Sequence, residues 1–197
     1  MRHARTLRRL TALGLAAALV GCSSPNPTLY TIAPVPGARQ GDAPKVVLVQ
    51  QVAIARYLER SQIVQSSENY RLAVMENDWW GEPLAPMIGR VLVEELGERL
   101  PDSTVIADNG AVTARPDAVV EINIQRLDED ASGNLILLAQ AAVRATGQEK
   151  PVLRTFRFSI RPSAPGVPAE VAAISAALGR LADGVAPMLS SAAGASG

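Results

Sequence analysis

The sequence contains one thiol and one imidazole, and both lie near its start, at Cys22 and His3. Nucleophilic catalysis by Ser-His-Asp or Cys-His groups needs a base that titrates near neutral pH, and zinc sites are built mainly from cysteine and histidine. Because no histidine or cysteine follows Cys22, an enzyme built from the remaining residues would have to rely on carboxylates, lysine or tyrosine. No glycine-rich phosphate-binding loop is present either. The sequence therefore predicts a protein that is not an enzyme, with no catalytic residue, no metal site and no bound cofactor.

Cys22 ends a pattern that is typical of export signals. Four arginines and no acid precede an apolar run of eleven residues from Leu10 to Val20. A helix needs roughly 20 apolar residues to cross a bilayer, so this run is too short to span one. The residues Leu-Val-Gly before Cys22 resemble the lipobox of bacterial lipoproteins, in which the signal peptide, here residues 1–21, is removed and the cysteine carries covalent lipid. The alternative is an ordinary secretory signal with a cysteine there by chance.

A lipidated Cys22 would tether the domain to a membrane. One acyl chain gives only marginal binding, whereas stable attachment takes two or more hydrophobic groups, and the three chains of a mature bacterial lipoprotein exceed that. The next residue is Ser23, whereas lipoproteins retained at the inner membrane usually have aspartate at this position. In a Gram-negative host, the resemblance implies a lipid anchor on the periplasmic face of the outer membrane.

The charge balance argues against nucleic acid as a partner. The whole chain has 19 basic and 19 acidic residues, and the predicted signal holds four of the basic residues and none of the acids. The chain after residue 21 therefore carries 15 basic against 19 acidic residues, a net charge of −4. Nucleic-acid binding needs clustered lysine and arginine, so this class of partner is excluded.

The rest of the chain divides into a tether, a folded domain and a tail. Residues 22–44 are rich in Pro, Gly, Ser and Ala, which predicts a lipidated N-terminus and a flexible tether. Within it, residues 28–33 could add a short edge strand, and the six residues from Cys22 to this segment reach at most roughly 20 Å. Residues 45–190 are predicted to form the domain, and residues 191–197 a disordered tail.

Strand and helix patterns predict an α+β domain. The stretch AVVEINIQRL alternates apolar and polar residues as strands do, whereas residues 83–100 and 168–189 place apolar residues at three- and four-residue steps as helices do. Pro83 suits the first turn of a helix, and Pro101 ends it. The apolar residues expected on one face of the first strand are Val46, Leu48, Val52 and Ile54. We predict a single domain with a mostly antiparallel sheet and two main helices packed on one face.

Three motifs resemble one protein family. They are LYTI at residues 29–32, YLERSQIV at residues 57–64 and WGEPL at residues 80–84. Together with the lipobox, their order and spacing are similar to those of the PqiC-type auxiliary lipoproteins of ABC transport systems. By motif the resemblance covers residues 29–100, and the remainder agrees in element order. The sequence departs from the family at Arg56, where proline is common, and at Trp79, where a polar residue is expected.

The resemblance implies a role in an assembly and no chemical reaction. Such proteins accompany MCE-domain (mammalian cell entry) proteins and permeases in lipid trafficking across the envelope. The expected function is that of a non-catalytic outer-membrane subunit that docks a periplasm-spanning MCE/ABC-type lipid transporter to the outer membrane. Since MCE proteins form rings, a ring-like homo-oligomer is a further expectation. The alternatives are a pilot or assembly lipoprotein for another envelope complex, and a lipoprotein hydrolase that uses carboxylates.

Five residues of the last two motif regions are candidates for binding the partner. They are Tyr57, Arg60, Gln62, Trp79 and Trp80. The alternative for the first three is a structured turn, with Arg60 paired to a nearby acid. Because two adjacent tryptophans do not easily enter one core, we expect Trp80 to be buried over the helix start and Trp79 to be exposed. An exposed aromatic side chain favours a partner or membrane interface.

The acidic run Asp128, Glu129 and Asp130 precedes Gly133 and Asn134, which supply turn chemistry. The three carboxylates lack the spacing of an EF-hand loop. We therefore expect a solvated hairpin turn there and no cation site.

Overall fold

A computed structural model describes residues 26–109, 112 and 114–194 of the chain. The predicted signal peptide, residues 1–21, and the predicted lipidation site Cys22 lie outside the described residues. The described part contains nine strands, a short 3-10 turn and two α-helices. In chain order they are β1 (Thr28–Tyr30), β2 (Val46–Val49), β3 (Ala53–Ile54), the 3-10 turn (Arg56–Leu58), β4 (Gln62–Ser66), β5 (Ala73–Trp80), α1 (Leu84–Arg99), β6 (Thr104–Ala107), β7 (Ala118–Glu129), β8 (Leu135–Ala145), β9 (Val152–Ile160) and α2 (Val167–Gly194).

The sheet is built around β7. On one side β8 pairs antiparallel with β7 along its length, and β9 pairs antiparallel with β8. On the other side β2, β3 and β4 run parallel to β7, beside its first, middle and last residues respectively. β6 continues the sheet from β2, which gives a lower half on this side of β7. β5 and β1 continue it from β4, which gives an upper half.

The predicted α+β class, the single domain and the two main helices are confirmed. The sheet, however, is mixed, because only the β7–β8–β9 meander and the β4–β5 pair are antiparallel. The remaining pairs are parallel. Parallel neighbours need long crossover connections, and the chain between β2 and β6 supplies one that includes α1. A sequence pattern indicates where strands occur. It does not show which strands become neighbours in the sheet, or whether those neighbours run parallel.

The two helices pack against each other and cover the sheet from one side. α1 lies against β2 and β6, whereas α2 lies over β8 and β9. The strand residues beneath them include Val120, Ile122 and Ile124 of β7, all nearly or fully buried. By length and composition α2 is long and apolar enough to cross a membrane between Val167 and Ala192, but 67% of its most apolar window is buried within this domain.

The chain after β1 crosses the groove between the two helices as an extended segment, residues 31–41, which we call the N-terminal strap. Its Ile32 is buried, and both backbone groups of Val35 are held. The Val35 N–H donates to Glu95 Oε1 at 2.9 Å, and Arg99 Nη1 donates to the Val35 carbonyl at 3.1 Å. Both Glu95 and Arg99 are themselves buried in α1. The strap is thus part of the folded domain.

This packing changes two of the predicted boundaries. The tether expected through residue 44 is already ordered from Thr28, where β1 begins, so the folded domain starts well before residue 45. The proline-rich composition that suggested flexibility equally suits an extended segment whose backbone is satisfied by helix side chains. At the other end, the tail expected from residue 191 begins as helix, because α2 runs to Gly194 and buries Ala192.

The first strand also differs from its predicted orientation. The residues of β2 that are buried under the helices are Val47 and Val49, whereas Val46 and Leu48 are only half-buried. Every residue of β2 is apolar, so no alternation of apolar and polar residues shows which face is buried. An irregular step at Gln50 and Gln51 separates β2 from β3 and brings Val52 into the core.

Candidate partner-binding surface

Tyr57 lies in the 3-10 turn, and its side chain points into the domain. Its hydroxyl donates to Asp128 Oδ2 at 2.7 Å. Asp128 is fully buried, and its Oδ1 accepts from Arg126 Nε at 2.8 Å. Burial and the hydrogen bond to Asp128 raise the pKa of the Tyr57 phenol well above its usual value. The hydroxyl therefore stays protonated and acts as a hydrogen-bond donor within the fold.

The predicted solvated position of the acidic run is wrong for Asp128. An irregularity between Ile124 and Arg126 inserts one extra residue in β7, which shifts the alternation of side chains beyond it. Asp128 is consequently turned into the packing around Tyr57. In the described part of the chain, no group of three or more His, Cys, Asp or Glu residues is arranged to hold a metal ion.

The other two acids of the run behave differently. Glu129 is half-buried, and burial followed by the charge of Asp130 raises its pKa. Asp130 Oδ1 accepts from the Asn134 N–H at 3.0 Å and the Ser132 N–H at 2.9 Å. The first of these bonds is the main reason that the pKa of Asp130 is lowered. Asp130 thus closes the β7–β8 turn, as turn chemistry suggests.

Arg60 and Gln62 lie where the chain leaves the 3-10 turn. Arg60 Nε donates to the Tyr57 carbonyl at 2.8 Å, so it binds the turn backbone, whereas the alternative reading of the sequence expected a nearby acid. Gln62 opens β4 and pairs with Trp79 of β5. Both side chains are half-buried, which leaves part of each at the surface.

The two tryptophans end β5 on opposite faces of the sheet. Trp80 is 6% exposed and belongs to the main core together with Leu84, the first residue of α1. Trp79 is half-buried, and its Nε1 donates to the Glu76 carbonyl at 2.9 Å. Its neighbour across the β1–β5 pair is Leu29, which is 63% exposed. Trp79 and Leu29 therefore form an apolar patch at the sheet edge.

Two clefts flank the first turns of α1 and share the residues Ala85 and Pro86. The smaller, about 480 Å³, includes Arg60 and Trp80 in its lining. The larger, about 610 Å³, lies between α1 and the ends of β2 and β6. Its lining is mostly apolar: Val49, Val52, Ala85, Pro86, Gly89, Val93, Val105, Ile106, Ala107 and Val112, with polar groups from Gln50, Gln51, Arg90, Asp108 and Asn109.

An exposed ion pair spans the ridge between the clefts. Arg90 Nη2 lies 2.7 Å from Glu82 Oε1, with Arg90 lining the larger cleft and Glu82 the smaller. Apolar concavities beside a charged ridge are suited to accepting apolar side chains of another protein. We call this surface, the two clefts and the Glu82–Arg90 ridge, the cleft surface.

The structure brings some of the predicted residues to the cleft surface and leaves others away from it. Arg60 and Trp80 line it, Gln62 and Trp79 lie on the adjoining strands, and Tyr57 is turned toward Asp128. The larger cleft was not predicted. A signal for it exists in α1, where Ala85, Gly89 and Val93 recur at four-residue steps and leave a shallow stripe on one helix face.

The fold has close counterparts among solved structures. The crystal structure of an uncharacterized protein aligns with a TM-score of 0.69 and 16% identity, over 83% of this chain and 98% of its own. Protein XCC0632 from Xanthomonas campestris, of the DUF330 family, aligns with a TM-score of 0.64 and 19% identity, over 80% of this chain and 92% of its own. A PelC dodecamer from Paraburkholderia phytofirmans aligns with a TM-score of 0.45 and 9% identity, over 79% of this chain and 94% of its own. The first two similarities show a shared fold.

The sequence itself has a family match. No curated protein matches the chain significantly. Residues 28–186, from the start of β1 into the last turns of α2, match the family described as the ABC-type transport auxiliary lipoprotein component. That range includes the N-terminal strap, the cleft surface and the whole sheet. The chain therefore belongs to the family of ABC-type transport auxiliary lipoprotein components.

Proposed function

We propose that this chain is a PqiC-type, non-catalytic subunit of an MCE/ABC-type lipid transport system. It is anchored to the outer membrane through lipid on Cys22 and docks the periplasm-spanning transporter to that membrane. The observation that carries the proposal is the family match over residues 28–186, which covers every strand, α1 and most of α2. The lipobox-like sequence before Cys22 supports the anchor.

The cleft surface is the proposed docking site for the transport partner. It supplies apolar concavities for side chains of the MCE protein and one charged ridge, Glu82–Arg90, to set the register of the contact. The half-buried Tyr57, whose hydroxyl donates to Asp128, serves the fold and leaves the surface itself to the partner. This division of labour fits a binding subunit, whose specificity comes from shape and charge.

We further propose that copies of the chain assemble into a ring, which would match the ring form of MCE proteins. Light scattering of the purified, detergent-solubilised protein measures its mass directly. A monomer under conditions in which the MCE partner is bound would contradict the ring without affecting the docking proposal.

The docking proposal is tested by chemical crosslinking in native membranes, followed by purification of the chain and identification of its partners. We expect an MCE-domain protein to be recovered with the wild-type chain and to be reduced with Cys22→Ser, which removes the anchor. Charge reversal at the ridge, Arg90→Glu, places two acids side by side and should lower recovery at least about tenfold.

A matched control exists on β7 and β8. Arg144 and Glu121 form an exposed pair at 3.4 Å, comparable in exposure to the Glu82–Arg90 pair but located on the sheet. Arg144→Glu should leave partner recovery unchanged. Equal losses with Arg90→Glu and Arg144→Glu would contradict the cleft surface as the docking site. Recovery of a secretin, pilin or assembly factor in place of an MCE protein would replace the transport role with that of a pilot lipoprotein.

A further inference from the structure

The hairpin loop between β4 and β5 carries two large apolar side chains at the surface, Tyr70 and Leu72. Residues 69–73 are all exposed; Tyr70 is fully exposed, at 108% of the reference area, and Leu72 is 39% exposed. Asn69 and Tyr70 have positive φ angles of 54° and 60°. The left-handed region carries a steric cost for residues with a side chain, and glycine avoids that cost. The fold therefore gains nothing from a tyrosine at this position, and its role lies outside the domain.

The hairpin loop lies at the end of the molecule from which the chain leads back to Cys22. β1 runs parallel to β5, with Thr28 beside Asp78, so the chain preceding Thr28 leaves β1 toward the end where β5 begins. Gln62 pairs with Trp79, at the level of Leu29, and the four residue steps of β4 from Gln62 to Ser66 place that end about 13 Å beyond this level. The six residues from Cys22 to Thr28 reach at most roughly 20 Å. Cys22 can therefore stand level with the hairpin loop.

Two exposed arginines lie at this end, together with the half-buried acids Glu129 and Asp130 of the β7–β8 turn. Arg71 is exposed between Tyr70 and Leu72, and Arg161 is exposed in the loop between β9 and α2. That loop lies at the same end, because Ile160 pairs with Leu135 at the start of β8. The nearest acid in the hairpin, Glu68, is already paired with Arg126 at 2.7 Å.

We propose that the hairpin loop, residues 69–73, rests in the headgroup region of the leaflet that holds the lipid anchor. Tyr70 and Leu72 enter the interface, where tyrosine and apolar side chains are favoured, and Arg71 contacts lipid phosphates. The contact turns a flexible anchor into a fixed orientation of the domain. Trp79, the aromatic residue singled out from the sequence, lies about 13 Å further from this end and stays outside the contact. This inference rests on the proposed lipidation of Cys22.

Spin labels on the full-length lipidated protein test the contact. Because lipidation uses the single native cysteine, Tyr70→Cys, Leu72→Cys and Glu149→Cys each introduce one site for a nitroxide. Glu149 is exposed in the loop between β8 and β9, at the opposite end of β7 from the hairpin, and serves as the control. The labelled proteins are reconstituted in vesicles of phosphatidylethanolamine with a minority of phosphatidylglycerol, and collision rates with oxygen and with a water-soluble nickel chelate are measured.

We expect the ratio of oxygen to nickel collisions to be at least about fivefold higher at positions 70 and 72 than at 149, because oxygen partitions into lipid and the chelate does not. Equal ratios at all three positions in protein that floats with the vesicles would overturn the membrane contact and leave the anchor intact. Failure of the wild-type chain to float, with no lipid mass on Cys22, would instead overturn the anchor and the contact with it.

Discussion

Two buried acids, Asp128 and Glu170, show how individual residues are satisfied in this domain. Asp128 is fully buried, and both of its oxygens accept hydrogen bonds, from Tyr57 and from Arg126. Glu170, in the first turn of α2, is 2% exposed, and its Oε1 has no hydrogen-bond partner among the described residues. A buried oxygen that accepts a hydrogen bond depends on its donor, whereas burial without a donor favours the neutral acid at Glu170. The two sites therefore respond oppositely to substitution.

The change Tyr57→Phe removes the donor to Asp128 Oδ2 and leaves that oxygen buried. Hydrogen bonds to charged groups contribute about 2 kcal/mol, so we expect the free energy of unfolding to fall by about that amount. Urea denaturation measures it, and Tyr70→Phe, whose ring is fully exposed, should change the value by less than about 0.5 kcal/mol. If Tyr57→Phe leaves stability intact but abolishes partner recovery, Tyr57 is a contact residue and its structural role is secondary.

The change Glu170→Gln should flatten the pH dependence of stability. Burial, with smaller contributions from the charges of Glu129, Asp128 and Asp78, raises the pKa of Glu170 from 4.5 to about 8. Between these values the folded chain holds a proton that the unfolded chain has released, so wild-type stability falls as pH rises from 4.5 to about 8 and is constant above it. The variant removes this loss and should be more stable by roughly 4 kcal/mol at pH 8, with little difference at pH 4.

Denaturant titrations across this pH range provide the measurement, with Glu149→Gln at an exposed position as the matched control. Part of the slope should persist in the variant, because burial also raises the pKa of Glu95, to about 7. If the free energy of unfolding depends on pH in the same way for wild type and Glu170→Gln, Glu170 is ionised in the folded protein. Its carboxylate would then have hydrogen-bond donors that this structure does not show.

At the scale of elements, alanine substitutions at two glycines, Gly37 and Gly41, test whether the N-terminal strap is packed in the groove between the helices. A Cβ at Gly37 would overlap the guanidinium of Arg99, which is fixed by bonds to Asp183 and to the carbonyls of Val35 and Gly179. A Cβ at Gly41 meets nothing within 4 Å. We expect Gly37→Ala to lower the free energy of unfolding by about 2 kcal/mol.

Gly41→Ala, by contrast, should raise stability by about 0.5 kcal/mol through the unfolded state. The Val35 amide donates a hydrogen bond to Glu95, so its hydrogen-exchange rate reports whether the strap loosens in Gly37→Ala. Identical behaviour of the two alanine variants would mean that the strap is not held in the groove.

The elements themselves differ in how far the sequence determines them. Strong periodicity predicted α1 and α2 closely, and alternation predicted β7 with Ile122 and Ile124 inward, as observed. The prediction failed in β2, because every residue of that strand is apolar and the sequence does not show which of its faces is buried. It also failed at the end of β7, where one inserted residue before Arg126 moves Asp128 off the face of Ile122 and Ile124 and onto the face where Tyr57 covers it. The strap was missed because its stability comes from Glu95 and Arg99, about 60 residues away in sequence, and local composition cannot report such contacts.

The same limit applies to the candidate site. The motif residues Arg60 and Trp80 do lie on the cleft surface, but the larger cleft depends on how α1 sits against β2 and β6. Only the four-residue spacing of Ala85 and Gly89 hinted at it. Motifs identified the family and part of the surface, whereas the concavity arises from packing between elements that are distant in the chain.

At the scale of the whole molecule, the two proposed surfaces are separated along β7. The cleft surface includes Ile54, which pairs with Ile124, whereas the hairpin loop extends beyond the level of Glu129. Five residues of an extended strand span about 17 Å, so the membrane contact and the cleft surface lie roughly 20 Å apart. A domain seated on its hairpin loop would hold the cleft surface away from the lipid and open to the periplasm. Anchor and docking site can then work together without competing for the same face.

This arrangement depends on the short spacing between Cys22 and the ordered chain. A tyrosine and a leucine at a membrane interface bury little apolar area, and fixing the domain there costs several kcal/mol of rotational and translational freedom. We therefore expect the anchor spacing to be necessary. A Gly/Ser linker of about 20 residues, inserted between Ser24 and Pro25, has a root-mean-square end-to-end distance of about 25 Å and therefore lets the domain move away from its anchor.

The label at position 72 should then lose most of its preference for oxygen over the nickel chelate, while flotation with the vesicles is retained. The matched control adds the same linker after Gly197, which leaves the spacing between Cys22 and Thr28 unchanged and should leave the collision ratio unchanged as well. An unaltered ratio with the linker between Ser24 and Pro25 would mean that the hairpin loop binds lipid by its own affinity. In that case the membrane contact would stand, but the short anchor would not be what orients the domain.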